Sequence, residues 1–228
     1  MSQRPGSTSD KLTHHSVVPI SYKRNVGSNC NLRNFSSHQG PALNLTVAEA
    51  LLATIATPPL FTFTSISNDL TTFEYIGADI TMSNPAMELI TEAYEAFGSQ
   101  QSIACLLSVG CGHPGTLTSP DGSDLDKWNQ FLARIVNDGE HKAQTIDAQM
   151  GHLGLYYRFR VSRGLEQSSH NGLDTGNIMA HTSAYLADVA VSRKMEACID
   201  SLKLRDGVTL LEQLSQCLHT PISLLIVP

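Results

Sequence analysis

Ile103-Ala104-Cys105-Leu106-Leu107-Ser108-Val109 is the stretch of sequence that decides the fold class. It is a nearly continuous apolar run, and a loop that is rich in glycine and proline follows it over residues 110–122. A short apolar run of this kind is typical of a parallel strand that is covered on both faces. The run therefore predicts an α/β fold in which helices pack on the faces of a sheet.

Strand and helix patterns alternate on both sides of this run. Thr46-x-x-Glu49 is a capping-box pattern and predicts a helix through Ala56, which Pro58 and Pro59 stop. Asn84-Pro85 predicts the start of a second helix, and Gly98 predicts its end. A polar loop is expected after the first strand, up to residue 45. Further strands are predicted over residues 17–22, 61–66, 73–76 and 155–161, and further helices over residues 125–135, 141–150, 178–202 and 208–218.

Composition narrows the class of protein. The chain has 228 residues, of which 41% are hydrophobic and 16% charged, so that a folded core is expected over residues 17–228. Residues 1–16 are polar and are predicted to be a disordered tail. The net charge of −6 argues against nucleic acid as a partner, because binding to phosphates needs clustered basic residues. Five cysteines without a C-x-x-C pair, together with the lack of an export signal, predict reduced thiols and a cytoplasmic location.

Two patterns that suggest a cofactor do not meet the structural conditions for one. Residues 110–115 match G-x-G-x-x-G, but no helical pattern opens directly on that loop, as a dinucleotide site requires. A tight turn explains these glycines better. The nine histidines show no spacing that is typical of zinc ligands, and His141 and His152 lie three helical turns apart. We therefore expect neither a cofactor nor a metal.

The chain also lacks the usual signs of a hydrolase nucleophile. No G-x-S-x-G pentapeptide occurs, and Ser108 lies inside the predicted strand. Cys105 and Cys111 are candidate thiols without an evident neighbouring base. Arg158, Arg160 and Arg163 form a basic cluster. Such a cluster either binds a phosphate headgroup or an acidic partner, or is simply a solvated strand face.

The segment from Phe73 to Pro85, FEYIGADITMSNP, resembles the Asp-Gly-(Gly/Ala)-x-x-x-Asn-Asn-Pro block of patatin-like phospholipases. Other blocks in the same order are similar to the fungal-type members of that family, at residues 47–61, 88–97, 103–112 and 157–165. Together the blocks cover roughly residues 18–215. The ordered series carries the resemblance more than any single block does.

The resemblance implies part of a three-layer αβα fold with a mostly parallel sheet, and the chemistry of a lipid acyl hydrolase with a Ser-Asp dyad. Three departures from the family pattern matter. The N-terminal half of the domain, with its oxyanion loop and nucleophile, has no counterpart, and Gly77 stands at the position of the dyad aspartate. The nearby acid is Asp79, which is either a catalytic carboxylate or a turn residue.

Three hypotheses about function follow from the resemblance. In the first, the chain is a truncated or degenerate patatin-like form, inactive alone, whose open sheet edge pairs with a partner chain. In the second, it is a non-catalytic module that binds a lipid or membrane surface or a protein. In the third, it is an active hydrolase in which Ser83 or Ser108 works with Asp79. The first is the favoured prediction.

Overall fold

In the computed structural model of the chain, the described residues are 15–37, 45–58, 61–68, 71–112, 115–136, 138–165, 174–204 and 206–219. Residues 1–14 of the predicted tail lie outside the described residues. The same holds for Pro59, one of the two prolines that were expected to stop the first helix.

The larger sheet has four strands: β1 (Val17–Tyr22), β2 (Asn25–Arg33), β3 (Thr64–Asn68) and β4 (Thr71–Gly77). Their order is β2-β1-β4-β3, and every neighbouring pair is antiparallel. The expectation of a mostly parallel sheet is wrong for these strands. Only two residues separate β1 from β2 and β3 from β4, and so short a connection permits antiparallel pairing alone.

Strand β2 replaces part of the polar loop that was expected up to residue 45. Its partly buried side chains include Val26, Ser28 and Cys30, which alternate with exposed residues, before the buried Leu32. The sequence did not show this alternation as a strand pattern because most of the side chains are small or polar. Pairing with β1 stabilises the strand.

Helix α1 (Val47–Ile55) begins at the predicted capping box. Glu49 N donates to Thr46 Oγ1 at 3.2 Å, and Thr46 N donates to Glu49 Oε2 at 2.8 Å. The helix packs Ala53 on the larger sheet, where Ile20, Leu32 and Tyr75 complete a small core. The predicted helix is confirmed.

Helix α2 (Ala86–Phe97) begins one residue after the start that Asn84-Pro85 predicts. Asn84 Oδ1 still accepts a hydrogen bond from Ala86 N, at 3.3 Å. The helix ends at Gly98 as predicted, with a φ of 85° that glycine adopts without strain.

Two small sheets complete the strands: β5 (Ser102–Ile103) pairs antiparallel with β8 (Thr209–Leu210), and β6 (Leu106–Val109) pairs parallel with β7 (Tyr156–Phe159). The parallel pairing predicted for the apolar run is therefore confirmed. Its burial on both faces is not, because Leu107 is 43% exposed and Val109 is 74% exposed. Within the described ranges β6 has one paired neighbour, and the core covers only the face that holds Leu106.

The remaining helices are α3 (Leu125–Val136), α4 (Gly139–Met150), α5 (Thr175–Leu186), α6 (Val189–Leu202) and α7 (Leu211–His219). The helix expected over residues 178–202 is two helices, because Asp188 caps α6 by accepting from Ala190 N and Val191 N. The helix expected from residue 208 begins only after β8. No helix in the described ranges is both long enough and apolar enough to cross a bilayer.

The main core lies between helices and the short sheets. Its buried members come from α2, α4, α7, the two parallel strands and Leu155, the residue directly before β7. They are Ala86, Ile90, Leu106, Ile146, Met150, Leu155, Tyr156, Leu211 and Leu214. The chain is thus a mixed α/β protein, with an antiparallel sheet at one side and a parallel strand pair built into a largely helical core.

Candidate functional site

Asp79, the predicted catalytic carboxylate, lies in a 3-10 turn (Ala78–Ile80) directly after β4. It is exposed, and its Oδ1 accepts a hydrogen bond from Thr57 Oγ1 at 3.0 Å. This bond joins the turn to the segment that follows α1. The observed contact is therefore one between a turn residue and a neighbouring loop.

A cavity with a volume of about 420 Å³ lies elsewhere in the described structure. It opens between the start of α2, the carboxyl ends of β6 and β7, and the start of α4. Ser83 and Ser108, the two candidate nucleophiles, both line it, whereas Asp79 is not among its lining residues. The structure thus brings the candidate serines to one cavity and leaves the candidate base outside it.

Ser108 is held by Arg158 and Asn84 at the floor of this cavity. The parallel register places Ser108 of β6 directly opposite Arg158 of β7. Arg158 Nη1 donates to Ser108 Oγ at 2.7 Å, and Ser108 Oγ donates to Asn84 Oδ1 at 3.4 Å. Ser108 is 9% exposed and Asn84 is 4% exposed, so the chain of bonds is buried.

This arrangement does not activate Ser108 as a nucleophile. A guanidinium only donates hydrogen bonds and keeps its proton, and an amide oxygen is not a general base. Among the described residues neither Ser83 nor Ser108 hydrogen-bonds to a carboxylate. Glu88 lines the cavity too, but its Oε1 accepts from Asn31 Nδ2 on β2.

Three buried polar groups of the cavity have hydrogen-bonding capacity left over. Ser83 Oγ, Asn84 Nδ2 and Arg158 Nε find no hydrogen-bond partner in the described part of the chain. Two of these are N–H donors and the third is a hydroxyl, which also donates. Buried donors without an acceptor cost free energy, and such groups call for an explanation.

Arg158 is a cation without a carboxylate partner among the described residues. Its neighbour Arg160 also lines the cavity but is paired, because Nη2 lies 2.8 Å from Glu140 Oε2. Arg163, the third member of the basic cluster, is exposed and is not a lining residue. The cluster is therefore divided into one available cation, one neutralised cation and one surface residue.

Two glycines allow the Arg158 head group to lie against the main chain. A Cβ atom at Gly110 would meet Arg158 Nη2 at 2.7 Å. A Cβ atom at Gly139 would meet the carbonyl oxygen of Ser83 at 3.0 Å and Arg158 Nη2 at 3.6 Å. A side chain at Gly110 would displace the guanidinium from the cavity wall, whereas one at Gly139 would crowd the Ser83 carbonyl oxygen and only touch the guanidinium.

The candidate thiols lie in different places. Cys111 is exposed and lines the cavity. Cys105 lies outside the cavity, with its Sγ 3.9 Å from Cys198 Sγ. Burial and the adjacent Cys198 thiol raise the pKa of Cys105 to about 11, so that little nucleophilic thiolate is present at neutral pH.

Neither the glycine-rich loop nor the two histidines named above has, in the described residues, the arrangement that a nucleotide or metal site requires. No helix begins in the described part of residues 110–122, which is what a dinucleotide loop would need. His141 and His152 are both exposed, and the described residues contain no cluster of three metal-ligating side chains.

Sequence reasoning missed the role of Asn84 in the cavity, since it was interpreted only as a helix cap. It also left Ser108 and Arg158 unconnected. One signal was available: a serine within an apolar strand and an arginine within an alternating strand are both polar residues that need a buried partner.

Comparison of the chain with models of known protein families, with curated proteins and with solved structures finds no match.

Proposed function

We propose that this chain is a non-catalytic binding domain that holds an anionic group, a phosphate or a carboxylate, in the cavity beside Arg158. The observation that carries the proposal is the partly buried guanidinium of Arg158, whose Nε is buried without a hydrogen-bond partner and which has no carboxylate partner among the described residues. Asn84 Nδ2 and Ser83 Oγ add further donors in the same cavity. Charge-assisted hydrogen bonds from the Arg158 guanidinium would hold the anion in this cavity.

The apolar side chains beside Arg158 favour a lipid headgroup as the source of the anion. Leu89, Leu107 and Val109 line the cavity and are each more than 40% exposed. An anion that is attached to an apolar chain would contact both the guanidinium and these side chains. The resemblance to patatin-like phospholipases supports the same ligand class, with the chain as a degenerate relative.

The binding test uses two probes that both carry a phosphate group, one free in solution and one on a lipid. Inorganic phosphate is titrated by calorimetry, and co-sedimentation is measured with phosphatidylcholine vesicles with and without phosphatidic acid. Arg158→Gln should weaken the binding at least about tenfold, because a charged hydrogen bond is lost. Arg163→Gln, which changes an exposed arginine outside the cavity, is the matched control and should bind like the unaltered chain.

Each outcome of the binding test has a definite meaning. Binding to acidic vesicles but not to phosphate identifies the lipid as the source of the anion. Equal binding by both variants, or no binding to either probe, contradicts the proposal.

The absence of catalysis is tested separately. A fluorophosphonate probe should label no serine, and a p-nitrophenyl ester should not be hydrolysed above the buffer rate. Stoichiometric labelling of Ser83 or Ser108 would instead support the active-hydrolase hypothesis, in which Asp79→Ala should abolish turnover.

A second candidate function is assembly with a partner chain, and the exposed face of β6 favours it. Leu107 and Val109 are exposed apolar strand residues at the cavity. A further polypeptide strand would cover them and extend the β6–β7 pair. Sedimentation equilibrium of the purified chain, compared with a Val109→Lys variant, tests this candidate, because the substitution should weaken any assembly that buries this face.

A further inference from the structure

Two cysteines that are distant in sequence meet in the fold. Cys105 lies between β5 and β6, Cys198 lies on α6, and their Sγ atoms are 3.9 Å apart. Cys198 is 3% exposed, whereas Cys105 is partly exposed. Both are free thiols, and 93 positions of sequence separate them.

This separation is short enough for a covalent bond. A disulfide needs its sulfur atoms at about 2.05 Å, so the two side chains must close by about 2 Å. The thiols already contact each other, and Cys105 approaches solvent on one side. We propose that Cys105 and Cys198 are a modification site at which a small disulfide, such as oxidised glutathione, converts the two thiols into an intramolecular disulfide.

The reaction proceeds by two exchange steps. The Cys105 sulfur attacks one sulfur of oxidised glutathione, which forms a mixed disulfide and releases one glutathione thiolate that takes up the Cys105 proton. The Cys198 sulfur then attacks the Cys105 sulfur of the mixed disulfide, which releases the second glutathione with the Cys198 proton. The two protein thiols are oxidised, and one glutathione disulfide is reduced to two thiols.

The two cysteines have different parts in these steps. Cys105 is the accessible sulfur that meets the reagent, and Cys198 is the buried sulfur that resolves the mixed disulfide. The raised pKa of Cys105 makes the first step slow at neutral pH, so the reaction is followed over hours at a mildly alkaline pH.

The bond would join α6 to the strand that forms the cavity floor. Cys105 directly precedes Leu106, the first residue of β6. Ser108 lies two positions after Leu106 on the same strand. Closing so long a loop restricts the unfolded chain, which should raise the Tm by about 5 °C or more.

The test uses the full chain. It is incubated with oxidised glutathione, the remaining thiols are alkylated under denaturing conditions, and the digest is analysed by mass spectrometry. The expected product is a peptide that links Cys105 to Cys198, without bound glutathione, in protein with a higher Tm. Reduction should reverse both changes.

Two variants test which thiols take part in the two exchange steps. Cys111→Ser removes an exposed thiol and should still form the link, since Cys111 takes no part in it. Cys198→Ser should leave glutathione attached to Cys105, because the resolving sulfur is missing. The proposal is overturned if Cys105 and Cys198 of the treated chain are both recovered in alkylated form, with glutathione only on Cys111 or another thiol.

Discussion

Arg33 on β2 donates from Nε and Nη2 to the two carboxylate oxygens of Glu92 on α2. Glu92 is 2% exposed and Arg33 is 11% exposed, so the pair lies in the interior between the larger sheet and the helix. Asn31 Nδ2 also donates to Glu92 Oε1, at 2.8 Å. This bidentate ion pair is the charged connection between the antiparallel sheet and the helix that begins at the cavity.

We expect Glu92→Gln to lower the free energy of unfolding by about 3 kcal/mol at pH 7, because the substitution removes the buried carboxylate that pairs with Arg33. Urea denaturation measures this loss. Asp200→Asn is the matched control: it removes an exposed ion pair with Lys203, and we expect it to cost less than about 0.5 kcal/mol. Equal effects of the two substitutions would contradict the role assigned to the buried pair.

The same pair predicts how stability depends on pH. Hydrogen bonds from Arg33 hold the pKa of Glu92 below its ordinary value of 4.5. The stabilisation is therefore complete above about pH 4.5 and is lost as the pH falls through the lower pKa of the folded state. As the pH falls below about 4.5, the free energy of unfolding of the unaltered chain should fall more steeply than that of Glu92→Gln. Parallel pH profiles would show that Glu92 is not the group responsible.

Gly77 lies where a side chain does not fit. A Cβ atom there would lie 2.5 Å from the Thr54 carbonyl oxygen and 2.9 Å from Thr57 Oγ1. We expect Gly77→Ala to destabilise the chain by about 2 kcal/mol, since the backbone of α1 must shift. Thermal unfolding measures this loss. Gly176→Ala, in the first turn of α5, is the control: its Cβ atom would meet no atom nearer than 3.4 Å, so the substitution should be neutral or slightly stabilising in the same measurement.

Asp79 should contribute to stability rather than to ligand binding. We expect Asp79→Ala to cost about 1 kcal/mol through loss of the bond from Thr57 Oγ1, and Thr57→Val to cost a similar amount. The double variant should cost less than the sum of the two, because both remove one interaction. Anion binding should be unchanged in Asp79→Ala. A loss of binding as large as that of Arg158→Gln would place Asp79 in the site.

Gly110→Ala tests whether the position of the guanidinium matters for binding. The added methyl group would meet Arg158 Nη2 at 2.7 Å and displace it, so we expect binding of acidic vesicles to weaken about tenfold with little change in Tm. Gly27→Ala is the control, because the nearest atom to its Cβ is 3.9 Å away and it lies on β2, outside the cavity. Unchanged binding in Gly110→Ala would contradict the assigned position of Arg158.

Much of the secondary structure was predictable because its signals are local. The capping box at Thr46, the start of α2 after Asn84 and its end at Gly98 each depend on residues within one helical turn. The parallel pairing of the apolar run was also foreseen, but the strand that pairs with it was not. The antiparallel order of the larger sheet was not, because the pairing of β1 with β4 joins segments that are about fifty positions apart.

The residues of the candidate site were also predictable from local signals, whereas the contacts between them were not. Sequence alone identified Ser83, Ser108, Asp79 and Arg158 as residues of interest. It could not state that Ser108 contacts Arg158, since that contact follows from the register of two strands fifty positions apart. Nor could it place Asp79 outside the cavity that holds the two serines.

The sequence by itself determined a folded α/β chain, the positions of its first two helices and the lack of a G-x-S-x-G nucleophile motif in these residues. These properties depend on composition and on neighbouring residues, which the linear order contains. Only the tertiary structure decided that Arg158 bonds to Ser108 with no carboxylate partner among the described residues, and that Cys105 meets Cys198. Such contacts depend on packing between distant segments, and no local pattern of residues encodes the distance between two side chains that the fold brings together.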